Sequence, residues 1–276
     1  MKTPVQKKID VAAEVIVNER IAQDVYRLDL RCPDLAPRLT TGQFVEVKCS
    51  AGGEPYFRRP FSIADHVFED GVPVGIRLLY LVVGRGTELM SRWRPGERFD
   101  VLGPLGRSFF LDTIPERAVF VAGGIGVAPF PALARALGER GCRRIDLIFG
   151  ARNADGIYYL DEFEALGVTV HTVTEDGSLG ATGRVTDLMR EMLPSCDPDG
   201  TILYACGPNP MFRAMGPILE TTSIPCQMSL EQVMACGFGV CNGCVVRAKG
   251  PDGPVWDKVC VDGPVFDANH LILEEL

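Results

Sequence analysis

Near the C-terminus, Cys236, Cys241 and Cys244 follow a C-x4-C-x2-C pattern, with Cys260 downstream as a fourth cysteine. That is the ligand spacing of a plant-type [2Fe–2S] cluster. The intervening Gly237, Phe238, Gly239, Val240, Asn242 and Gly243 are mostly small. A loop wrapped around an anionic cluster needs such residues, because backbone N–H groups must approach the sulfurs and glycine reaches positive φ. Two other readings compete. With 10 cysteines in the chain, buried thiols can fall into this spacing by chance. Zinc is the stronger rival, yet its sites usually pair C-x2-C with a second close pair, and Cys260 stands alone. Spacing and loop composition together favour an iron–sulfur cluster and electron transfer.

Other residues could hold an organic redox partner. Arg59-Pro60-Phe61-Ser62 is followed by Leu79-Tyr80-Leu81 and by Gly84-Arg85-Gly86-Thr87. Arg before Pro is common in ordinary turns, so the first run alone says little. Together, however, Arg59 offers a forked donor for a pyrophosphate and Ser62 a small hydroxyl for a ring heteroatom. Gly86 would let backbone come close, and Thr87 would cap a helix facing phosphate. The set reads as a flavin site. A second loop, Gly123-Gly124-Ile125-Gly126-Val127-Ala128-Pro129, lies between an expected strand and helix. It is not G-x-G-x-x-G, and the next strand ends Phe149-Gly150-Ala151-Arg152 without an acidic residue, so a tight packing turn remains an alternative. Cys206-Gly207-Pro208 closes the last expected strand, at the sheet edge where open α/β folds bind ligands. Cys206 there would either abut a nicotinamide ring or be a small buried hydrophobe. His66, His171 and His270 show no metal spacing.

The elements that must position these groups change character along the chain. In the first hundred residues Tyr26, Leu28 and Leu30 alternate with Val25, Arg27 and Asp29, and Val45, Val47 and Cys49 oppose Phe44, Glu46 and Lys48. Such strands, with Ile76–Val83 and Gly and Pro between, predict an antiparallel barrel. From about Glu116, strands Ala118–Ala122, Ile145–Phe149, Val168–Val173 and Thr201–Ala205 alternate with helices. The helices are one carrying Phe130, Leu133, Ala134 and Leu137 and stopping at Gly141, then Leu160–Leu166, Val185–Leu193 and one from Asn209. This grammar predicts a parallel sheet covered on both faces. The last stretch is rich in Cys and Gly and lacks the periodicity of an independent core, so a cluster would staple it. The expected class is an α+β multidomain chain: residues 1–112 an antiparallel FAD-binding β-barrel, 113–220 a Rossmann-like α/β nicotinamide-binding domain, and 221–276 a small [2Fe–2S] module.

A length of 276 residues accommodates two or three such units. The net charge of −8 argues against nucleic acid as a partner, which requires basic patches. No apolar run approaches the ~20 residues of a membrane span, and Met1–Asp10 lacks a signal-peptide core. The expectation is a cytoplasmic protein whose Cys32, Cys49, Cys142, Cys196, Cys206 and Cys226 stay free thiols.

Arg59–Ser62, Gly84–Thr87, Gly123–Pro129 and Cys206–Pro208, in that order, resemble the ferredoxin–NADP reductase superfamily. The run Ser229–Cys241, with Cys244 and Lys258–Phe266, is similar to the electron-transfer subunits of type B dihydroorotate dehydrogenases, and the match covers nearly the whole chain. A related small subunit, in NADH-dependent ferredoxin:NADP oxidoreductases, typically carries Asp where Cys236 stands. Phe61 in place of a smaller aliphatic is a mild departure. The resemblance implies FAD held by Arg59, Pro60, Phe61, Ser62, Leu79, Tyr80, Leu81, Gly86 and Thr87. It implies NAD near Gly123, Gly124, Gly126, Gly207 and Pro208, although Arg152 could meet a 2′-phosphate. It further implies Cys206 and Glu231 as catalytic candidates at the flavin–nicotinamide contact, and the four cysteines on the cluster. FAD would join a one-electron cluster to a two-electron nicotinamide. The resemblance also implies a partner, an FMN-containing catalytic subunit that oxidises dihydroorotate in pyrimidine biosynthesis, in a two-plus-two heterotetramer. A free-standing NAD(P)H-dependent ferredoxin or flavin reductase and a zinc-binding interaction protein are the other readings.

Overall fold

The computed structural model describes residues 7–50 and 52–276; Met1–Gln6, part of the stretch read for a leader, lie outside them. Six antiparallel strands close into a barrel: β1 (Ile9–Ala22), β2 (Val25–Arg31), β3 (Phe44–Val47), β4 (Arg59–Glu69), β5 (Val72–Leu81) and β6 (Arg98–Leu105). Their spatial order is β1-β2-β5-β4-β3-β6, and a short helix α1 (Arg85–Met90) precedes β6. Closure removes exposed strand edges. Leu28, Leu30, Val45, Val47, Ile76 and Leu78 fill the interior, as the two-residue period predicts.

The same alternation misleads about the outer face. Asp29 is buried there because Arg27 and Arg77 both grip its carboxylate, Arg77 at 2.7 and 2.8 Å. Arg77 also donates to Tyr159 Oη of the second module at 3.1 Å. Phe44 and Glu46 point outward from β3 and are buried too. What a lone barrel would leave wet is covered by the rest of the chain.

That remainder is built on a seven-stranded sheet. Its parts are β7 (Arg117–Gly123), α2 (Phe130–Glu139), β8 (Arg144–Ala151), α3 (Leu160–Ala165), β9 (Thr169–Thr174), β10 (Ala181–Thr182), α4 (Val185–Met192), β11 (Thr201–Cys206), α5 (Asn209–Leu219) and β12 (Cys226–Ser229). After the hairpin β13 (Val245–Gly250) and β14 (Gly253–Lys258), β15 (Val265–Asp267) completes it. The order is β10-β9-β8-β7-β11-β12-β15, parallel except for the last pair. Phe130, Leu133, Ala134 and Leu137 of α2 cover one face with Phe163, while Met189, Phe212 and Met215 cover the other. Gly141, at φ 91°, follows α2 as expected of a helix stop. Strands β12 and β15 were not foreseen. They bring the cysteine-rich segment into the sheet, and Cys244, Val246, Val259 and Cys260 share a core with Val119, Leu203, Phe44 and Leu105. No helix among the described residues is long and apolar enough to cross a membrane.

Asp146 ties three parallel strands together. Fully buried on β8, it accepts from Arg117 of β7 at 2.8 Å, from Arg144 at 2.8 and 3.0 Å, and meets His171 Nε2 of β9 at 2.9 Å. Burial pushes this carboxyl up, but the bonds from Arg144, His171 and Arg117 prevail and hold it below its ordinary value of 3.8. A folded pKa below the unfolded one adds stability above that ordinary value, lost as pH falls through the lowered one. Asp146→Asn should cost about 3 kcal/mol near neutral pH and flatten the acid limb of the stability curve. Urea denaturation at neutral and acidic pH checks this; a variant as stable as the wild type at neutral pH would refute it.

Candidate functional site

A cleft of about 510 Å³ opens where the barrel, the β7–α2 loop and the segment after β12 meet. That volume suits a cofactor site. All nine residues expected around the flavin line it: Arg59, Pro60, Phe61, Ser62, Leu79, Tyr80, Leu81, Gly86 and Thr87. They converge because β4 and β5 are antiparallel neighbours, with Ile63 opposite Leu78, so the start of one strand and the end of the other share a rim. Gly86 lets the following turn lean on Arg59, since a Cβ there would lie 3.3 Å from Arg59 Nε and 3.2 Å from Cys49 Sγ. Arg59 Nη1 donates to the carbonyls of Phe57 and Arg58 at 2.8 and 3.1 Å, which fixes the guanidinium at the rim. Two of these residues also have partners within the protein. Thr87 is not the residue before its helix but the third within it; its hydroxyl accepts from Val83 N and Gly84 N and donates to Gly84 O. It caps the start of the helix through a capping box with the Gly84 backbone, so its hydroxyl is engaged by the turn itself. Tyr80, though it lines the cleft, donates its hydroxyl to Asn18 at 3.0 Å within the barrel core.

Gly123, Gly124, Gly126, Gly207 and Pro208 do not line this cleft. They form a junction at the carboxyl ends of β7 and β11, where the strand order reverses, which is the ligand-binding position of open α/β sheets. Here the glycines are sterically required. A Cβ on Gly126 would collide with the Cys206 carbonyl, and one on Gly123 would lie 2.9 Å from Pro208 Cδ. From the same loop Ile125, Ala128 and Pro129 reach the cleft. Cys206 lies beneath the junction, only 1% exposed. Burial, then the nearby Glu231 charge, raises its thiol well above the usual range, against a weaker pull from Ser229. It is a neutral thiol. Glu231 is open to the cleft, yet the walls enclose it enough that desolvation raises its carboxyl. Leu230, Gln232 and Met234 line the cleft beside it, a contribution that the motif reading assigned only through Glu231. The one cue to them was their place directly before Cys236.

The four cysteines come together as two pairs. Cys241 N donates to Cys236 Sγ at 3.5 Å, and Cys260 N to Cys244 Sγ at 3.4 Å. Burial pushes Cys236 up, but the backbone N–H groups of Cys241, Phe238 and Val240, with the Cys241 thiol, bring it down to about 6. Cys260 is pushed up to about 12, first by burial and then by Cys244, and it lies within electrostatic reach of Cys236. Among the described residues no three His, Cys, Asp or Glu side chains converge as a single ion would require. Two thiol pairs, one already surrounded by N–H donors, fit the demand of a two-iron cluster for four thiolates and hydrogen bonds to sulfur. Gly237 and Gly239 adopt φ of 71° and 92°, as expected of the loop glycines. The carboxyl of Glu46 packs against Gly237. Burial pushes it up to about 8, with Arg58 opposing and Cys236 adding. The histidines are structural: His171 meets Asp146, and His270 meets Asp257 at 2.6 Å.

Known proteins agree with this division of labour. Residues 231–272 match the family described as the iron-sulfur cluster binding domain of dihydroorotate dehydrogenase B, and residues 120–216 the oxidoreductase NAD-binding domain. A dihydroorotate dehydrogenase B (NAD(+)) electron transfer subunit of Geobacillus thermodenitrificans is 39% identical, over 94% of this chain and 97% of that protein. Its counterpart in Bacillus caldolyticus is 38% identical over 97% and 99%. Among solved structures, an NADH-dependent reduced ferredoxin-NADP oxidoreductase superposes with a TM-score of 0.81 at 30% identity, covering 96% of this chain and 91% of that one.

If the four cysteines hold iron, Cys244→Ser should abolish the low-temperature EPR signal of dithionite-reduced protein. Cys226→Ser is the control, because Cys226 is buried in β12 and contributes to neither thiol pair. Stoichiometric zinc, or a signal that survives Cys244→Ser, would overturn the assignment.

Proposed function

Because the chain belongs to the family of dihydroorotate dehydrogenase B electron-transfer subunits, we propose that it carries electrons from a dihydroorotate-oxidising, FMN-containing catalytic subunit to NAD+. It is an oxidoreductase component with an iron–sulfur-binding domain, an NAD-binding domain and the fold of flavin-dependent ferredoxin reductases. The observation that carries the proposal is continuity. Leu230, Glu231, Gln232 and Met234 wall the flavin cleft, and two residues later the chain reaches Cys236. A single short segment therefore serves both the cleft and the cluster loop, which supports direct electron exchange between them.

When bound, FAD supplies the conversion between single-electron and paired-electron transfer. The chain's own residues would hold and screen it. The Arg59 guanidinium would face the pyrophosphate charge, the only cation of the R-P-F-S run doing so. Ser62 would offer a hydroxyl to the flavin ring edge, and Leu79 and Leu81 would exclude water. The glycine junction of Gly123, Gly124, Gly126 and Gly207, closed by Pro208, would let the nicotinamide dinucleotide lie close to backbone. Glu231 would hold a proton at the mouth of the flavin–nicotinamide contact, with neutral Cys206 packed behind it. Cys236, Cys241, Cys244 and Cys260 would ligate the cluster. Val233, Phe238, Val240 and Val261 are exposed apolar residues around that loop, and such a patch supports a protein partner. A two-plus-two assembly in the cytoplasm completes the proposal.

Arg59→Ala should weaken FAD by roughly 1.5–3 kcal/mol, read as flavin lost on dialysis; full retention would remove Arg59 from the site. Alone, the protein should reduce artificial acceptors with NADH and leave dihydroorotate untouched. Mixed with the catalytic subunit it should support dihydroorotate-dependent NAD+ reduction, which Cys244→Ser should abolish while sparing the NADH reaction. Failure to associate with that subunit would favour the free-standing reductase. Coupled turnover without the cluster would show another electron path.

A further inference from the structure

Glu46 occupies an outward position of β3 where a hydrophobic residue would be expected, since Phe44, two residues before it, fills the equivalent site. It is 1% exposed, and neither carboxyl oxygen has a hydrogen-bond partner among the described residues. Burial of an unpaired carboxyl is costly, and the barrel gains nothing from it. The nearest cation does not compensate. Arg58 directs its guanidinium to Asp10 at 3.0 and 2.7 Å and reaches only the backbone oxygen of Glu46, at 3.4 Å.

What the side chain does touch is the cluster loop. A Cβ at Gly237 would lie 2.5 Å from Oε1, 2.6 Å from Cγ and 3.0 Å from Cδ of Glu46. Gly237 directly follows Cys236, so the carboxyl presses on the backbone that carries the first cysteine of the set. On the other side, β3 pairs with β4 so that Glu46 lies opposite Pro60 and Phe44 opposite Ser62. The residue thus stands between the ladder that bears the flavin motif and the turn that bears Cys236.

We propose that Glu46 is a positioning residue, seating the Cys236–Gly239 turn on the β3–β4 ladder and so fixing the place of the cluster relative to the flavin cleft. It acts through the Gly237 backbone and touches no reacting atom. The inference rests on the iron–sulfur reading of the four cysteines, and its test separates the two. The full-length protein as isolated is compared with Glu46→Gln, Glu46→Ala, Gly237→Ala and the double variant Glu46→Ala/Gly237→Ala. The readouts are iron per FAD after dialysis and the EPR g-values of the dithionite-reduced protein.

Glu46→Gln preserves the shape and should keep the wild-type spectrum and iron content. Glu46→Ala should shift the g-values and lower iron retention about two-fold or more, with flavin content unchanged. Gly237→Ala should do the same. Gly237→Ala also strains a backbone at φ 71°, but the part of its damage that comes from collision with the Glu46 carboxyl vanishes once Glu46 is alanine, so the effect of the double variant should fall short of the product of the single effects by about two-fold or more. A wild-type spectrum in Glu46→Ala would overturn the inference, and so would independent effects in the double variant. Equal damage in Glu46→Gln and Glu46→Ala would overturn it by making charge rather than shape the cause. Loss of FAD together with iron would overturn it in favour of a general role in barrel stability. Wild-type protein that lacks iron would refute the cluster reading itself.

Discussion

Strand β3 is buried on both of its faces, and the arrangement of three redox sites depends on that. Val45 and Val47 fill the barrel, while Phe44 joins the core that holds Cys244 and Cys260. A strand buried on one face would leave the barrel as a separate body, free to drift from the cysteine loop. Here the hydrophobic cost of exposing Phe44 and Leu105 keeps the loop against the barrel wall. Electron carriers exchange electrons only at short range, so this shared core is a functional constraint as much as a structural one.

Polar contacts set the angle at which the barrel meets the sheet. Arg135 of α2 grips Asp65 of β4 at 2.6 and 3.1 Å, and Arg77 of β5 reaches Tyr159. On the far side the Gln227 side chain pairs with Phe110 as a second backbone would, accepting at 2.8 Å and donating at 2.9 Å. Apolar surfaces can slide over one another; these directional bonds at separated points cannot. The cleft keeps its shape because its walls are fastened around it, and the glycines beneath remove the side chains that would otherwise hold β7 and β11 loops apart.

Much of this was legible in the residues because periodicity is local. The two-residue alternation around Leu28 and Val45 located barrel strands, and the apolar runs at Val119 and Leu203 located the parallel sheet. The cysteine spacing located the cluster loop, since ligand spacing is also a local property. What escaped were the consequences of contacts distant in sequence. Nothing near Cys226 or Val265 announces a strand; each is short, and each forms because a partner edge is available. Asp29 and Glu46 read as solvent-facing because alternation reports the barrel interior and knows nothing of a second module outside. Thr87 reads as a helix cap and is one, but from the third position of its helix, where its hydroxyl closes a box with the Gly84 backbone, a partner that only the shape of the turn supplies.

Strands β12 and β15 are hydrogen-bonded neighbours, and Ser229 stands directly opposite Val265. The entire cysteine-bearing excursion therefore leaves the sheet and returns at one point, as a very long hairpin tip. Topologically it has one point of entry and exit, yet it is sunk into the fold: a tight turn from Ser229 to Val265 would strip Leu230, Glu231, Gln232 and Met234 from the cleft and Cys244, Val246, Val259 and Cys260 from the core. Viewed as ancestry, a reductase without this excursion needs other cover for Val119, Leu203 and Phe44, so gaining or losing the wire means rebuilding a core and not only a loop.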